Sequence, residues 1–310
     1  MALFNSIWDD LKFSLRTGNM ITKLVVINFA VFVVTKLAYL ILGGFTLGNP
    51  GGLYATGLDY FCIPASLSTL IWQPWSYITH MFLHDSFWHL FGNLVGLYIF
   101  GSIVSDLIGD RRVLPLYLLG GLAGGTFYIF SAQVGILNVS SYALGASAAV
   151  MAMGGAALIL APDYRVHLLL LGAVKVKYIV LVLVLIDLAT ISGNFDSGGS
   201  IAHIAGFVTG CIFVYQLRDG RDWAEFVNQI LRKITSLFTF TSAATKKTPR
   251  KNKPGPMKAT YVGSKGNNVS DAHDLSFQEK LDGILDKIKQ AGYEGLSQEE
   301  KDFLYEASQK

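Results

Sequence analysis

Six stretches of the chain, at 22–44, 88–108, 113–133, 145–161, 177–192 and 200–217, are apolar with almost no interruption by charge. A helix needs about 20 residues to cross roughly 30 Å of hydrocarbon. The fourth and fifth stretches are short for a full crossing, but both are rich in Ala, Leu and Val, so they count with the others. The pattern predicts an all-α polytopic membrane protein, a bundle of six transmembrane helices.

After Asp219 the pattern changes. Trp223, Phe226, Val227, Ile230, Leu231, Ile234 and Leu237 recur at three and four residues with Arg232 and Lys233 between them, which predicts a helix lying on the inner membrane surface. From Thr245 to Ser270 the chain is rich in Lys, Pro, Gly and Asn without apolar periodicity, the composition of a disordered basic linker that brushes anionic lipid. Phe277, Leu281, Ile284, Leu285 and Ile288 then mark one helix, and Ser297-Gln298-Glu299-Glu300 is a capping-box start for another carrying Phe303 and Leu304. Two short helices bury little, so this end reads first as a small cytoplasmic appendage and, more sharply, as a docking module for a cytoplasmic regulator. The predicted organisation is an amphipathic leader at 1–21, a membrane domain at 22–218, an interfacial helix at 219–244, a basic linker at 245–274 and a helical appendage at 275–310.

Composition agrees with the pattern: 52% hydrophobic against 15% charged residues, with a mean hydropathy of +0.43, is the balance of a chain that lives mostly in lipid. No nucleic-acid partner is expected. Charge adds the orientation. The loops at 45–87, 134–144 and 193–199 contain no Lys or Arg, whereas Lys12, Arg16, Lys23, Arg111, Arg112, Arg165, Lys175, Lys177 and the basic tail all fall on the other side. The positive-inside rule therefore puts both termini in the cytoplasm, and the first 23 residues, with Trp8, Asp9 and Asp10, read as a cytoplasmic lead-in rather than a cleaved signal; the absence of a eukaryotic targeting signal and the compact six-span core favour a cell inner membrane of a bacterium. Among the basic residues Lys36 alone lies well inside a span rather than at its end, and its stem should snorkel to an interface or a polar gap between helices. Cys62, in the first outer loop, and Cys211, deep in the last span, are too far apart for a disulfide.

Polar residues inside spans are costly, and four of them share a layer. With both termini inside, spans two, four and six begin on the outer side. At ~1.5 Å of rise per residue, His89, Ser147 and His203 then lie about one turn below the outer surface and Asn93 one turn deeper, roughly 5 to 12 Å. Ser147 opens a helix in Gly145-Ala146-Ser147-Ala148, where unpaired backbone N–H groups are ready donors for an oxyanion. A lone serine in a membrane helix is ordinarily just bonded to a carbonyl one turn earlier. Here, however, Ala202, Gly206 and Gly210 form a small-residue stripe that matches Ala148, Ala152 and Ala156, and close packing of the two helices could bring His203 to Ser147. A neutral imidazole there takes the hydroxyl proton and returns it to a leaving amine; its plainer role is a helix-packing hydrogen bond. His89 and Asn93, four residues apart, share a helix face, and both can donate to an oxyanion. Metal ligation by His80, His84 and His89 is the competing reading. It lacks the Glu of an H-E-x-x-H site and any Cys or carboxylate cluster, so no metal is expected.

The string His80-x3-His84-x4-His89-x3-Asn93, the Gly145-Ala146-Ser147 opening of span four and Ala202-His203-x2-Gly206-x3-Gly210 on span six together resemble the rhomboid family of intramembrane proteases over residues 20–217. The resemblance implies a Ser147/His203 dyad and an oxyanion hole from His89, Asn93 and the Ser147 backbone N–H. It further implies hydrolysis without a cofactor and single-span transmembrane substrates cleaved near the outer surface. Gly145, Ala202, Gly206, Gly210 and Met151 would be the supporting packing. Three positions depart from the family pattern: Ala148 where Gly is usual after the nucleophile, Met151 where a Tyr often stacks on the histidine, and Trp75-Ser76 where Trp-Arg is common. Asp187, in the outer half of span five, is expected to bond a loop backbone or face water rather than complete a triad. The glycines of Ser192–Ser200 make that segment a candidate lid. A non-catalytic relative that binds transmembrane helices is the rival reading, and a transporter is disfavoured by the absence of midplane polar residues and of repeat symmetry.

Overall fold

A computed structural model describes residues 18–45, 51–135, 139–168, 172–191, 197–238, 280–288 and 295–308. The leader up to residue 17, the linker at 245–274 and residues 192–196 of the candidate lid lie outside the described residues. The chain forms two compact units, Met1–Ser242 and Ala243–Lys310.

In the first unit α1 spans Met20–Phe45. The first outer loop, unparsed in the sequence, is built: α2 (Gly51–Asp59), β1 (Ile63–Pro64), α3 (Leu67–Trp72), α4 (Ser76–Thr79) and a 3-10 turn at His80–Phe82. Then come α5 (Phe87–Ile108), α6 (Val113–Val134), β2 (Tyr142–Ala143), α7 (Ser147–Leu160), β3 (Arg165–Leu168), β4 (Gly172–Lys175), α8 (Val176–Ile191), α9 (Ser197–Arg218) and α10 (Trp223–Phe238). Among the described residues, Met20–Gly43, Phe87–Ile108, Asp110–Val134 and Ser197–Arg218 are long and apolar enough to cross a membrane, and α7 is a shorter apolar helix. The chain is an all-α membrane protein. Two local expectations change: α9 begins at Ser197, so the second half of the candidate lid is helix, and the third inner loop carries the antiparallel hairpin β3–β4.

The centre is α7, whose residues 148–157 are all buried, packed against α5, α6 and α9. A helix apolar on every face belongs in an interior, which is why this stretch shows no amphipathic stripe. Two buried polar side chains of the bundle are paired within it: the Tyr117 hydroxyl donates to the Met81 carbonyl at 2.6 Å, and Asn28 donates to the Leu24 carbonyl at 2.8 Å. The Asp110 carboxylate accepts from the Met20 backbone N–H at 2.8 Å, capping α1 where its amides are unpaired. Lys36 reaches the Asp85 carbonyl at 2.6 Å, tying α1 to the start of α5. Trp75 still anchors the outer loop, its indole N–H donating to the Tyr60 carbonyl at 2.9 Å, while Ser76 is buried and bonds Gln73.

In the second unit residues 280–288 are helical, and α12 spans Gln298–Ser308 after an α11 at 280–288. The Ser297 N–H donates to Glu300 Oε2 at 2.9 Å and the Glu300 N–H to Ser297 Oγ at 3.4 Å, a reciprocal capping box.

Candidate active site

The turn into α7 is held from two sides. β2 pairs with β1 of the outer loop, and the Gly145 N–H donates to the His80 carbonyl at 2.9 Å. Gly145 has φ +128°, and a methyl group there would stand 2.7 Å from His89 Nε2 and 3.5 Å from Ser147 Oγ. Only glycine combines that conformation with that proximity. The chain then enters α7 at Ser147, whose backbone N–H, in the first turn, has no acceptor within the helix.

His203 reaches Ser147 because α9 and α7 touch backbone to backbone. A Cβ at Gly206 would collide with the Ala148 carbonyl, and one at Gly210 with the Ala152 carbonyl. Ala148 itself turns its methyl toward Gly124 of α6, so the extra carbon relative to glycine is absorbed by a neighbouring helix and leaves the α7–α9 seam intact. Ala202 abuts the same Gly124. As a result His203 Nε2 lies 2.6 Å from Ser147 Oγ, although the two are 56 residues apart.

Asp187 does not behave as expected from the sequence. Among the described residues it bonds no loop backbone, and it is buried rather than facing water: it is 7% exposed, and its Oδ1 lies 2.8 Å from His203 Nδ1. An ionised carboxylate can only accept, so the assignment that satisfies both ring contacts of a neutral histidine puts the proton on Nδ1 and the lone pair on Nε2, facing the serine. The cost of placing a carboxylate on an apolar helix is what selects a partner at the same depth.

His89 and Asn93 both border the site. Two cavities flank Ser147 and His203. One of about 240 Å³ is lined by His80, His89, Gly145, Ser147 and His203 among others. The other, about 380 Å³, lies between α5 and α8 and is lined by Trp88, Asn93, Met151, Asp187 and again His89, Ser147 and His203. Met151 is buried and lines the same cavity as Ser147 and His203, at the position where the family pattern often has an aromatic. One N–H of the Asn93 amide is used on the His89 carbonyl at 2.9 Å, leaving the second.

The site holds a second carboxylate that none of the sequence motifs singles out. Asp85 Oδ1 lies 2.8 Å from His89 Nδ1, an i, i+4 spacing that could have been read from the residues alone. Burial pushes the Asp85 carboxyl up, but the hydrogen bond and charge of His89 outweigh it and hold the group below the usual carboxylate range. His84 stacks edge-on against His89 at 5.1 Å, and burial pushes its imidazole down to about 4. Among the described residues no three metal-ligating side chains gather.

Residues 71–219 match the model of the Rhomboid domain. Of the curated relatives, the mitochondrial RHOMBOID-like protein 12 of Arabidopsis thaliana is 30% identical over 157 residues, covering 46% of each chain. The mitochondrial Rhomboid protein 1 of Saccharomyces cerevisiae is 27% identical over 44% of this chain and 40% of its own. The mitochondrial Presenilin-associated rhomboid-like protein A of Danio rerio is 28% identical over 49% of this chain and 37% of its own. The chain thus spans less than half the length of each of these relatives.

Proposed function

The chain belongs to the rhomboid family, and from that premise we propose that it is an intramembrane serine endopeptidase acting on peptide bonds in or near the transmembrane segments of other membrane proteins. One observation carries the reading: a serine hydroxyl 2.6 Å from an imidazole Nε2, at the mouth of a helix N-terminus, bordering a cavity large enough for water. Ser147 attacks the scissile carbonyl carbon while His203 takes its proton. The oxyanion is met by the Ser147 N–H, by Asn93 and by His89 as an imidazolium, whose Nδ1–H is held by Asp85 and whose Nε2–H is then free to donate. His203 returns the proton to the leaving amine, and water admitted to the site releases the acyl group in a second pass of the same steps. The chemistry uses no cofactor.

The substrates are single-span helices that unwind near the outer surface, admitted beside the cavity between α5 and α8. The basic face of the bundle and both termini are cytoplasmic in a cell inner membrane, or face the equivalent interior if the chain shares the mitochondrial setting named for its relatives. Organelle and membrane fractionation separates these two. Beyond the bundle, α10 lies on the inner surface, the 245–274 segment is a basic linker, and 275–310 is a small cytoplasmic helical appendage that, in its sharper role, docks a cytoplasmic regulator.

The test is cleavage of a fluorescent model transmembrane substrate in liposomes by the full chain, Ser147→Ala and His203→Ala, with labelling of Ser147 by an organophosphonate probe. Wild-type cleavage lost in both variants is expected. Cleavage that survives Ser147→Ala would reject the assignment.

A further inference from the structure

We propose that Asp187 is a positioning residue for the reaction, holding His203 in the one tautomer that can accept the Ser147 proton and balancing the positive charge that forms on the ring. The proposal rests on the peptidase reading above and adds to it a third group beyond the dyad that the family resemblance implies.

The geometry is that of a relay. Ser147 Oγ, His203 Nε2, His203 Nδ1 and Asp187 Oδ1 follow one another with contacts of 2.6 and 2.8 Å on either side of the ring. The Asp187 side chain is 10% exposed and the imidazole 29%, so water competes poorly for the carboxylate. Three helices contribute, Ser147 from α7, His203 from α9 and Asp187 from α8, and among the described residues His203 is the one side-chain partner recorded for Asp187. A neutral imidazole without such a partner divides between two tautomers. The one with N–H facing Ser147 cannot take a proton. A carboxylate on Nδ1 removes it.

During attack the Oγ–H proton moves to Nε2 as Oγ bonds to the carbonyl carbon. The ring becomes an imidazolium between an oxyanion and a carboxylate. Asp187 keeps its charge throughout, and when the C–N bond breaks the same proton leaves on the amine. Nothing is oxidised or reduced, and no further reactant is needed.

The experiment uses the full chain in detergent and liposomes, as wild type, Asp187→Asn, Asp187→Ala and Ser147→Ala. Asp187→Asn should lower kcat about 100-fold with KM within about twofold, and should lower probe labelling of Ser147 in parallel, while the thermal midpoint is unchanged or raised because a buried charge has been removed. Nitrogen-15 spectra of histidine-labelled protein, with the His203 signals found by comparison with His203→Gln, should show Nδ1 protonated in the wild type and a mixture of tautomers in Asp187→Asn. Turnover of Asp187→Asn within threefold of wild type, or an unchanged tautomer, overturns the proposal. Inactive Ser147→Ala beside fully active Asp187→Asn would sink this inference and leave the peptidase intact, whereas cleavage unaffected by Ser147→Ala sinks the peptidase reading itself, with the tautomer spectra still deciding what Asp187 does.

Discussion

The two helices that approach His203 do so in opposite ways. α7 meets α9 along a seam with almost no side chain in it, glycine hydrogens of α9 resting on carbonyls of α7. α8 has only Val176, Val180 and Asp187 buried, and its Leu181, Val182 and Leu185 are open on the far side. Residues pressed backbone to backbone have no rotamers to rearrange, so the serine and the histidine are held by packing. The carboxylate is held by its hydrogen bond and a few apolar contacts. Ser147 and His203 are built into the bundle, and Asp187 is brought to them by a helix whose far side is apolar and exposed.

This contrast breaks first at the seam. Gly206→Val would force a branched side chain into the Ala148 backbone, and overpacking of that kind costs about 3 kcal/mol or more. Loss of the cooperative thermal transition, together with loss of Ser147 labelling, is expected; a folded, labelled Gly206→Val would show that the seam can open. Next comes Gly145→Ala, which leaves the seam alone but pushes a methyl toward His89. Since losing one oxyanion donor costs about 10²–10³-fold, kcat should fall by about 100-fold with the fold retained, a split measured by kinetics and melting side by side.

The two carboxylate–imidazole pairs sharpen the comparison further. Both are 2.8 Å long, but Asp85 is 63% exposed where Asp187 is 10%. Water screens the first pair, so Asp85→Asn should lower kcat less than about tenfold, well short of Asp187→Asn. Equal losses from the two substitutions would show that burial does not set their weight. The smallest effect concerns stability. Burial pushes His80 and His84, in the outer loop under the site, from 6.5 down to about 4. Below about pH 6.5 the unfolded chain binds protons that the folded chain refuses. Their contribution is therefore complete above that pH and declines as pH falls toward 4. Melting temperatures in detergent between about pH 7.5 and 5 should drop, and His80→Gln should flatten the slope.

Six apolar helices were legible because a bilayer demands long runs of apolar residues whatever their neighbours. The first outer loop and the β3–β4 hairpin were not, since short helices and strands of two to four residues depend on partners, such as β2 and the Tyr60 carbonyl in that loop, rather than on periodicity. Asp187 was visible as an acid in an apolar run and was assigned to the wrong surroundings. The run gives its depth along α8 but not the rotation of α8 about its axis. Asp85 shows the reverse case: its four-residue spacing from His89 is plain in the sequence, and only the choice of rotamer needs the structure.

Taken alone, the order of residues determined which segments are apolar helices, which loops carry the basic charge, and that Ser147, His203, His89 and Asn93 fall at similar depths along their helices, because hydropathy and helical rise are local properties. Folding decided what no local property holds: that Gly206 and Gly210 let two backbones touch, that the methyl of Ala148 is taken up by Gly124, and that Asp187 turns inward to Nδ1 of His203. Those outcomes depend on the rotation and separation of helices, which arise only when all of their surfaces compete for contact at once.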